Sequence, residues 1–264
     1  MYSSSDLFSR RGTYRPTTEK YPILEALAAA VAVDRVQGFV KSGQGYYDPD
    51  REVHIEDNRV MALRTLRNLA GRPDVNHEGV PYNTVEVTDA DREKAQEIFD
   101  YFDQVCLMDK MGDNLVKRGK DGQVNDYNLI LSEMFDRGEA DINKELAMVA
   151  SLPNSRRMAE KRDEMDRFYE AHRDSGYIGE VRQRIKITGK VKDVKYLPKH
   201  NIHLAVMLTD GGKIAKFFMN DKLSTVAKTI TGKTISLVGT VKKQEINPHT
   251  GCQETMFNRV KIEA

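Results

Sequence analysis

The sequence predicts an α+β chain in which an N-terminal all-α domain precedes a C-terminal five-stranded β-barrel. First, the hydrophobic period changes after Gly176, from helical spacing to the alternation of strands. Second, turn-forming segments such as DGG and NPHTG separate the alternating stretches. Third, the two parts of the chain differ in charge. We predict a flexible arm over 1–16, a helical domain over 17–176 and a barrel over 177–264.

The helical domain is predicted from apolar residues that recur at helical spacing between Gly, Pro and capping residues. Thr88 is a favourable N-cap, and acidic residues that suit the first turn of a helix follow it. Pro153 is predicted to end a helix, because proline removes a backbone hydrogen bond and crowds the preceding turn. The predicted helices span 17–41, 56–70, 88–111, 125–137, 142–152 and 155–174.

The barrel is predicted from five alternating segments with one helically spaced segment among them. The strands are expected at 181–197, 200–209, 213–220, 233–245 and 252–262, with a short helix at 221–231. Three strands, a helix and two strands is the order of an OB-type barrel, a fold that commonly binds oligonucleotides on its second and third strands. A small SH3-like barrel shares most of the strand pattern, but the helix favours the OB type.

The charge of the whole chain conceals a division. Residues 177–264 contain sixteen Lys and Arg against seven Asp and Glu, a net charge of +9. Residues 1–176 contain 25 basic and 33 acidic residues, a net charge of −8. An ordinary solvated surface is one explanation of the lysines, but this surplus exceeds what solubility requires. The basic barrel therefore favours a nucleic-acid partner.

Candidate nucleic-acid contacts are the cations that would track phosphates and the rings on which bases would stack. Lysines at even positions of the first strand share one face provided that no bulge intervenes. Of Phe217 and Phe218, one should lie in the core, although core packing is the alternative for any single ring. Because Lys216 favours the outside and shares a face with Phe218, we expect Phe218 to be the stacking ring. The predicted nucleic-acid-binding residues are Lys190, Lys192, Lys195, Tyr196, His203, Lys213, Lys216, Phe218, Lys242, Lys243 and Arg259.

Signatures of an enzyme are weak in this sequence. The six histidines and two cysteines have no metal-ligand spacing, and the glycines at 43 and 45 are not followed by the Lys-Ser/Thr of a phosphate loop. We therefore predict no catalytic residue, no metal and no cofactor. Few cysteines, no apolar run of membrane-spanning length and no apolar secretory segment near Met1 predict a cytoplasmic protein without a membrane partner.

The segment from Gly232 to Ile262 resembles the C-terminal region of a largely uncharacterised group of tailed-bacteriophage proteins. In that group a GTVK(K) strand is followed by a turn and by a strand ending in T-x-L-x-R-V-K, and this chain reads GTVKKQEINPHTGCQETMFNRVKI. Gly176–Gly179 and Val149–Pro153 are also similar, and the resemblance is clearest from Ala147 to Ala264. It implies an OB-type tail and a setting in phage DNA metabolism, in the host cytoplasm, without an established activity.

These patterns predict a non-enzymatic protein that binds single-stranded nucleic acid, with DNA favoured, in phage replication or recombination. The acidic helical domain would bind replication proteins, form a homo-oligomer or restrain the barrel. The alternative is a protein–protein interaction adaptor, or host-takeover factor, whose OB barrel binds a protein. A third interpretation is a metal-dependent nuclease that uses acidic residues of the helical part, such as Asp100, Asp103 and Asp109.

Overall fold

The computed structural model describes residues 19–110, 126–219 and 229–263, so the predicted arm over 1–16 lies outside the described part. The chain divides into two compact units, Met1–Ala159 and Glu160–Ala264. Most of the helices belong to the first unit, and a closed five-stranded barrel belongs to the second. This architecture confirms the predicted fold class. The second unit begins before residue 177, because it includes the C-terminal part of a long helix.

The helices of the first unit surround a helix rich in alanine. The elements in chain order are β1 (Lys20–Pro22), α1 (Ile23–Gln37), β2 (Tyr46–Asp48), β3 (Val53–Ile55), α2 (Asn58–Leu69), α3 (Asp89–Lys110), α4 (Asp126–Arg137), β4 (Glu139–Asp141) and α5 (Leu146–Ala171). Every residue of α1 from Ala26 to Val33 is buried. Alanine side chains are short, so α2 and α3 can both pack closely against this helix.

Two small sheets accompany the predicted helices. β1 pairs with β4 in antiparallel register, with Lys20 opposite Asp141. β2 and β3 form a hairpin with Tyr46 opposite Ile55, within a stretch whose sequence indicates turns only. Each of these strands has three residues. A strand that short cannot display an alternating pattern, and the sequence therefore did not reveal it.

Pro153 does not end a helix, in contrast to the prediction. α5 continues through it from Leu146 to Ala171. The proline cannot donate a hydrogen bond to the carbonyl of Val149, which costs about 3 kcal/mol in a helix interior. However, Leu146, Val149 and Leu152 are all buried in the core of the first unit. Burying each contributes about 1.5–3 kcal/mol, which outweighs the local penalty and keeps the helix continuous.

The barrel consists of five strands close to the predicted positions. They are β5 (Arg184–Leu197), β6 (Ile202–Thr209), β7 (Ile214–Met219), β8 (Thr234–Ile246) and β9 (Gln253–Glu263). The strand order is β5-β6-β7-β9-β8, closed by pairing of β5 with β8, and only β7 and β9 are parallel among these neighbours. A five-stranded closed barrel of this kind agrees with an OB-type fold. The helix predicted at 221–231 lies outside the described residues, apart from its end at Thr229 and Ile230.

A buried carboxylate links α1 to the start of α3. Arg35 donates to Asp91 from Nε at 2.8 Å and from Nη2 at 2.9 Å, and Thr88 donates from its backbone N and its Oγ1 at 2.9 and 2.8 Å. Asp91 is 2% exposed. Burial raises the pKa of this carboxyl, but the hydrogen bonds from Arg35 and Thr88 outweigh it and hold the pKa below its ordinary value.

We predict that Asp91→Asn lowers the free energy of unfolding of the first unit by about 1.5–3 kcal/mol near pH 7, because it removes charge-assisted hydrogen bonds. The folded pKa of Asp91 is lowered, so its stabilisation is present above the unfolded pKa of about 3.9 and disappears as the pH falls through the folded pKa. The difference between wild type and variant should therefore narrow in acid. Urea unfolding at several pH values measures this, with the exposed Asp89→Asn as control. A difference independent of pH would contradict the prediction.

Candidate nucleic-acid interface

The C-terminal part of α5 covers much of the outer face of the barrel. Alternate residues of β7 lie inside the barrel, namely Ala215, Phe217 and Met219. The intervening residues lie on the outer face, where Ile214 packs with Val206 of β6, Cys252 and the α5 residue Phe168. OB-type barrels commonly bind oligonucleotides on this face, formed here by β6 and β7. In this chain a helix of the same unit occupies part of it.

Polar contacts fasten this helix at both edges of the covered face. At one edge, Lys161 Nζ lies 2.7 Å from Asp193 Oδ1 on β5. At the other edge, Cys252 Sγ donates to the carbonyl oxygen of Tyr169 at 2.9 Å, and Gln253 N donates to the carbonyl oxygen of Arg173 at 3.2 Å. Burial raises the pKa of the Cys252 thiol, which keeps it protonated and able to donate.

Lys216 is the main correction to the predicted site. Alternation correctly places it on the outer face, but the helix covers it and leaves it 8% exposed. Its Nζ lies 2.6 Å from Glu254 Oε2 and 5.4 Å from the centre of the Tyr169 ring. Glu254 also accepts hydrogen bonds from Asn247 and Thr250. A buried charge requires such a partner, so Lys216 is part of the packing between barrel and helix and does not face solvent.

A bulge in β5 changes which lysines share a face. The register with β6 passes from Val191 opposite Met207 to Asp193 opposite Val206, so Lys192 is the extra residue. The predicted row of even-numbered lysines required a first strand without a bulge. These lysines therefore do not all share one face. Lys190 faces outward before the bulge, and odd-numbered residues face outward after it. The Lys192 ammonium lies 5.5 Å from the centre of the Phe168 ring, at the edge of the covering helix.

Four of the predicted residues lie at the end of β5, β6 and β7 that the helix leaves uncovered, two on each face of the strands. We call Lys195, Tyr196, His203 and Phe218 the open end. Lys195 lies opposite Leu204, which lies opposite Phe218, so these three form one row on the outer face. Phe218 is 41% exposed whereas Phe217 is fully buried, as the alternation predicts.

The two remaining rings of the open end form a pair on the opposite face of the strands, in the same cross-strand row as the core residue Met219. Tyr196 lies opposite His203, and their ring centroids are 5.0 Å apart. The Tyr196 hydroxyl donates to Asn201 Oδ1 at 2.9 Å, which fixes the ring beside the turn between β5 and β6. That turn is a 3-10 helix, Pro198–His200, whose residues are exposed. Rings and cations at one end of these strands are the components with which such barrels hold single strands.

The other predicted cations do not join the open end through any contact among the described residues. Lys190 lies in the middle of β5, opposite Leu208, at the other end of the pairing between β5 and β6. Lys213 donates to the carbonyl oxygen of Tyr177 at 2.6 Å. Lys243 forms an ion pair with Glu245 at 2.6 Å. The remaining two, Lys242 at a bulge of β8 and Arg259 on β9, are exposed.

The sequence did not predict that α5 covers part of the barrel. Its charged side chains indicate a solvated surface. A narrow apolar stripe nevertheless lies among them, formed by Met165, Phe168 and Tyr169 at helical spacing, and this stripe contacts the barrel. Across the described ranges, no group of three or more His, Cys, Asp and Glu side chains is arranged to hold a metal. No helix within these ranges has the length and apolar character needed to cross a membrane.

Comparison with known proteins does not assign the chain to a family. No family model and no curated protein matches it. Among solved structures, the chain is similar to the structure of RecG bound to a three-way DNA junction, with 26% sequence identity and a TM-score of 0.22. The match covers 31% of this chain and 11% of the RecG chain, so this chain spans only a small part of that protein's length. A TM-score this low does not indicate a shared fold.

We predict that Lys216→Met lowers the free energy of unfolding of the barrel unit by about 3–5 kcal/mol, because Glu254 is left buried without its counter-charge. Adding Glu254→Gln should recover most of the loss, since the double variant buries no isolated charge. Chemical denaturation of the wild type, both single variants and the double variant gives the coupling energy. Additive effects of the two substitutions would show that the pair is not coupled.

Proposed function

We propose that this chain is a non-enzymatic protein that binds single-stranded nucleic acid, with DNA favoured, at the open end of its barrel. The observation that carries the proposal is the row of Lys195, Leu204 and Phe218 across the strands that OB-type barrels commonly use. The paired rings of Tyr196 and His203 lie at the same strand ends, on the opposite face, at the rim of the barrel. The surplus of basic residues over 177–264 supports a polyanionic partner.

The open end supplies two kinds of interaction that do not depend on sequence. Exposed rings stack on the faces of bases, which contributes about 1–3 kcal/mol per base in proteins of this kind. A lysine beside them neutralises a phosphate and releases counterions, so affinity should fall as salt rises. We therefore propose binding that tolerates many sequences. A role in phage replication or recombination rests on the resemblance of Gly232–Ile262 alone and remains a proposal.

The covering helix should restrict the strand to a short footprint. Displacing the helix would expose Phe168, Val206 and Ile214, all buried in this structure. Each contributes about 1.5–3 kcal/mol through burial. Stacking of one or two additional bases would not offset these losses, so we propose that the helix stays in place when a strand binds.

The proposal predicts that fluorescently labelled oligo-dT binds the full chain with an affinity that falls as salt increases. Phe218→Ala should weaken binding by about 5- to 150-fold, which is the loss of one stacked base. Lys195→Gln should reduce the slope of log affinity against log salt by about 0.7, which is the loss of one phosphate contact to a single strand. Anisotropy titrations with dT strands of increasing length measure both effects and the footprint.

Lys261→Gln is the matched control, because Lys261 is an exposed lysine of β9 that pairs with Val238 of β8 and is not part of the row formed by Lys195, Leu204 and Phe218. It removes the same charge and should leave the affinity nearly unchanged. Equal losses in the Lys195 and Lys261 variants would indicate unspecific attraction to a basic surface. Absence of binding at low salt would reject the proposal and favour the protein-adaptor alternative. The suggested binding of replication proteins by the acidic first unit stays a prediction.

A further inference from the structure

We propose that the first unit contains a second binding site, a cleft that takes a nucleoside monophosphate. The cleft has a volume of about 510 Å³, within the usual range for small-molecule sites. It opens between the link that follows α1, the first turn of α2, and the starts of α4 and α5. Its lining consists of Phe39, Val40, Lys41, Ser42, Asn58, Arg59, Tyr127, Lys144, Ala147, Met148, Ala150 and Ser151.

The charge of the cleft is opposite to that of the surrounding chain. Lys41, Arg59 and Lys144 line it, and among the described residues no Asp or Glu does. None of these three cations forms an ion pair with a carboxylate in the described ranges. Residues 1–176 nevertheless carry a net charge of −8, so most cations in such a region would be expected to find a carboxylate. Three cations without a carboxylate partner around one cleft indicate an anionic ligand.

Arg59 is held in position for such a ligand by the backbone. Its Nη2 donates to the carbonyl oxygens of Ile142 and Asn143 at 3.3 and 3.5 Å. Both hydrogen bonds come from one nitrogen, and the Nε and Nη1 donors have no partner among the described residues. A guanidinium held in this way presents its remaining donors to a phosphate without losing much side-chain freedom.

An unpartnered amide group lies in the same lining. Asn58 is 1% exposed, and its Oδ1 accepts hydrogen bonds from Val40 N and Gln37 Nε2 at 2.9 and 3.0 Å. Its Nδ2 is buried and has no hydrogen-bond partner among the described residues. Buried donors are nearly always satisfied in proteins, so this one calls for an acceptor. A ligand oxygen that reaches the floor of the cleft would supply it.

The remaining lining residues favour a ligand with an apolar ring attached to its anionic group. Phe39, Val40 and Met148 are apolar, and two alanines and the ring of Tyr127 lie with them. Inorganic phosphate would leave this apolar surface unused. A flat heterocycle attached to a phosphate satisfies both parts of the cleft, because the ring packs on the apolar surface and the phosphate meets the cations. A nucleoside monophosphate is the class of small molecule that combines these features.

Isothermal titration calorimetry of the full chain with dTMP and with dAMP tests this inference. At least one nucleotide should bind with a saturating isotherm, and thymidine or inorganic phosphate alone should bind at least tenfold more weakly. Arg59→Gln and Lys144→Gln should each weaken nucleotide binding by about tenfold, the loss of a charge-assisted contact. The Lys144 side chain makes no hydrogen bond or ion pair in the described ranges, so its substitution tests the site even if Arg59→Gln disturbs the fold.

Arg51→Gln is the matched control, since Arg51 lies in the turn between β2 and β3, outside the cleft, and its side chain is 70% exposed. It should leave nucleotide affinity unchanged. No saturation by either nucleotide at millimolar concentration would overturn the inference, as would full binding in both cleft variants. Binding that is lost in Phe218→Ala but retained in Arg59→Gln would assign the nucleotide to the barrel and also overturn it. Because oligo-dT binding is measured separately, this inference and the proposed function can fail independently.

Discussion

The buried ion pair between Lys216 and Glu254 determines what the outer face of the barrel can do. Neither charge can remain alone at low dielectric, so the pair joins β7 to β9 beneath the helix that covers them. Around this pair, Ile214 and Phe168 complete a small apolar core outside the barrel. The outer face of β6 and β7 is therefore divided into a covered part and an open part. The part near Glu254 is protein interior, and only the far end of β6 and β7 remains open to a ligand.

Local rules predicted most of the elements because they act over a few residues. Alternation and turn chemistry located all five strands, periodicity located α1 to α4, and Thr88 marked the start of α3. Those rules failed where packing with a distant part of the chain decides the outcome. Pro153 lies inside a helix because buried neighbours hold it there, and Lys216 is outside the barrel yet buried. Which element covers a face is a tertiary property, and alternation alone does not contain it.

The candidate interface was predictable only where local rules decide it. Alternation separated Phe217 from Phe218 correctly, because neighbouring strand residues point in opposite directions. The grouping of Lys195 with Phe218 depends on cross-strand register and on a bulge. A signal for that bulge was present, since Val191 and Val194 are three residues apart and both pack toward the barrel core. The cleft of the first unit had no such signal, because its cations come from three separate segments of the chain.

The boundary between the two compact units falls within α5, after Ala159, and this has a practical consequence for anyone who divides the gene. A barrel fragment that begins at Tyr177 would retain every strand but lose Phe168 and Tyr169. Its apolar outer surface around Ile214 would then face water, where exposed patches promote aggregation. A recombinant barrel therefore has to begin near Glu160, even though the first strand starts more than twenty residues later, at Arg184.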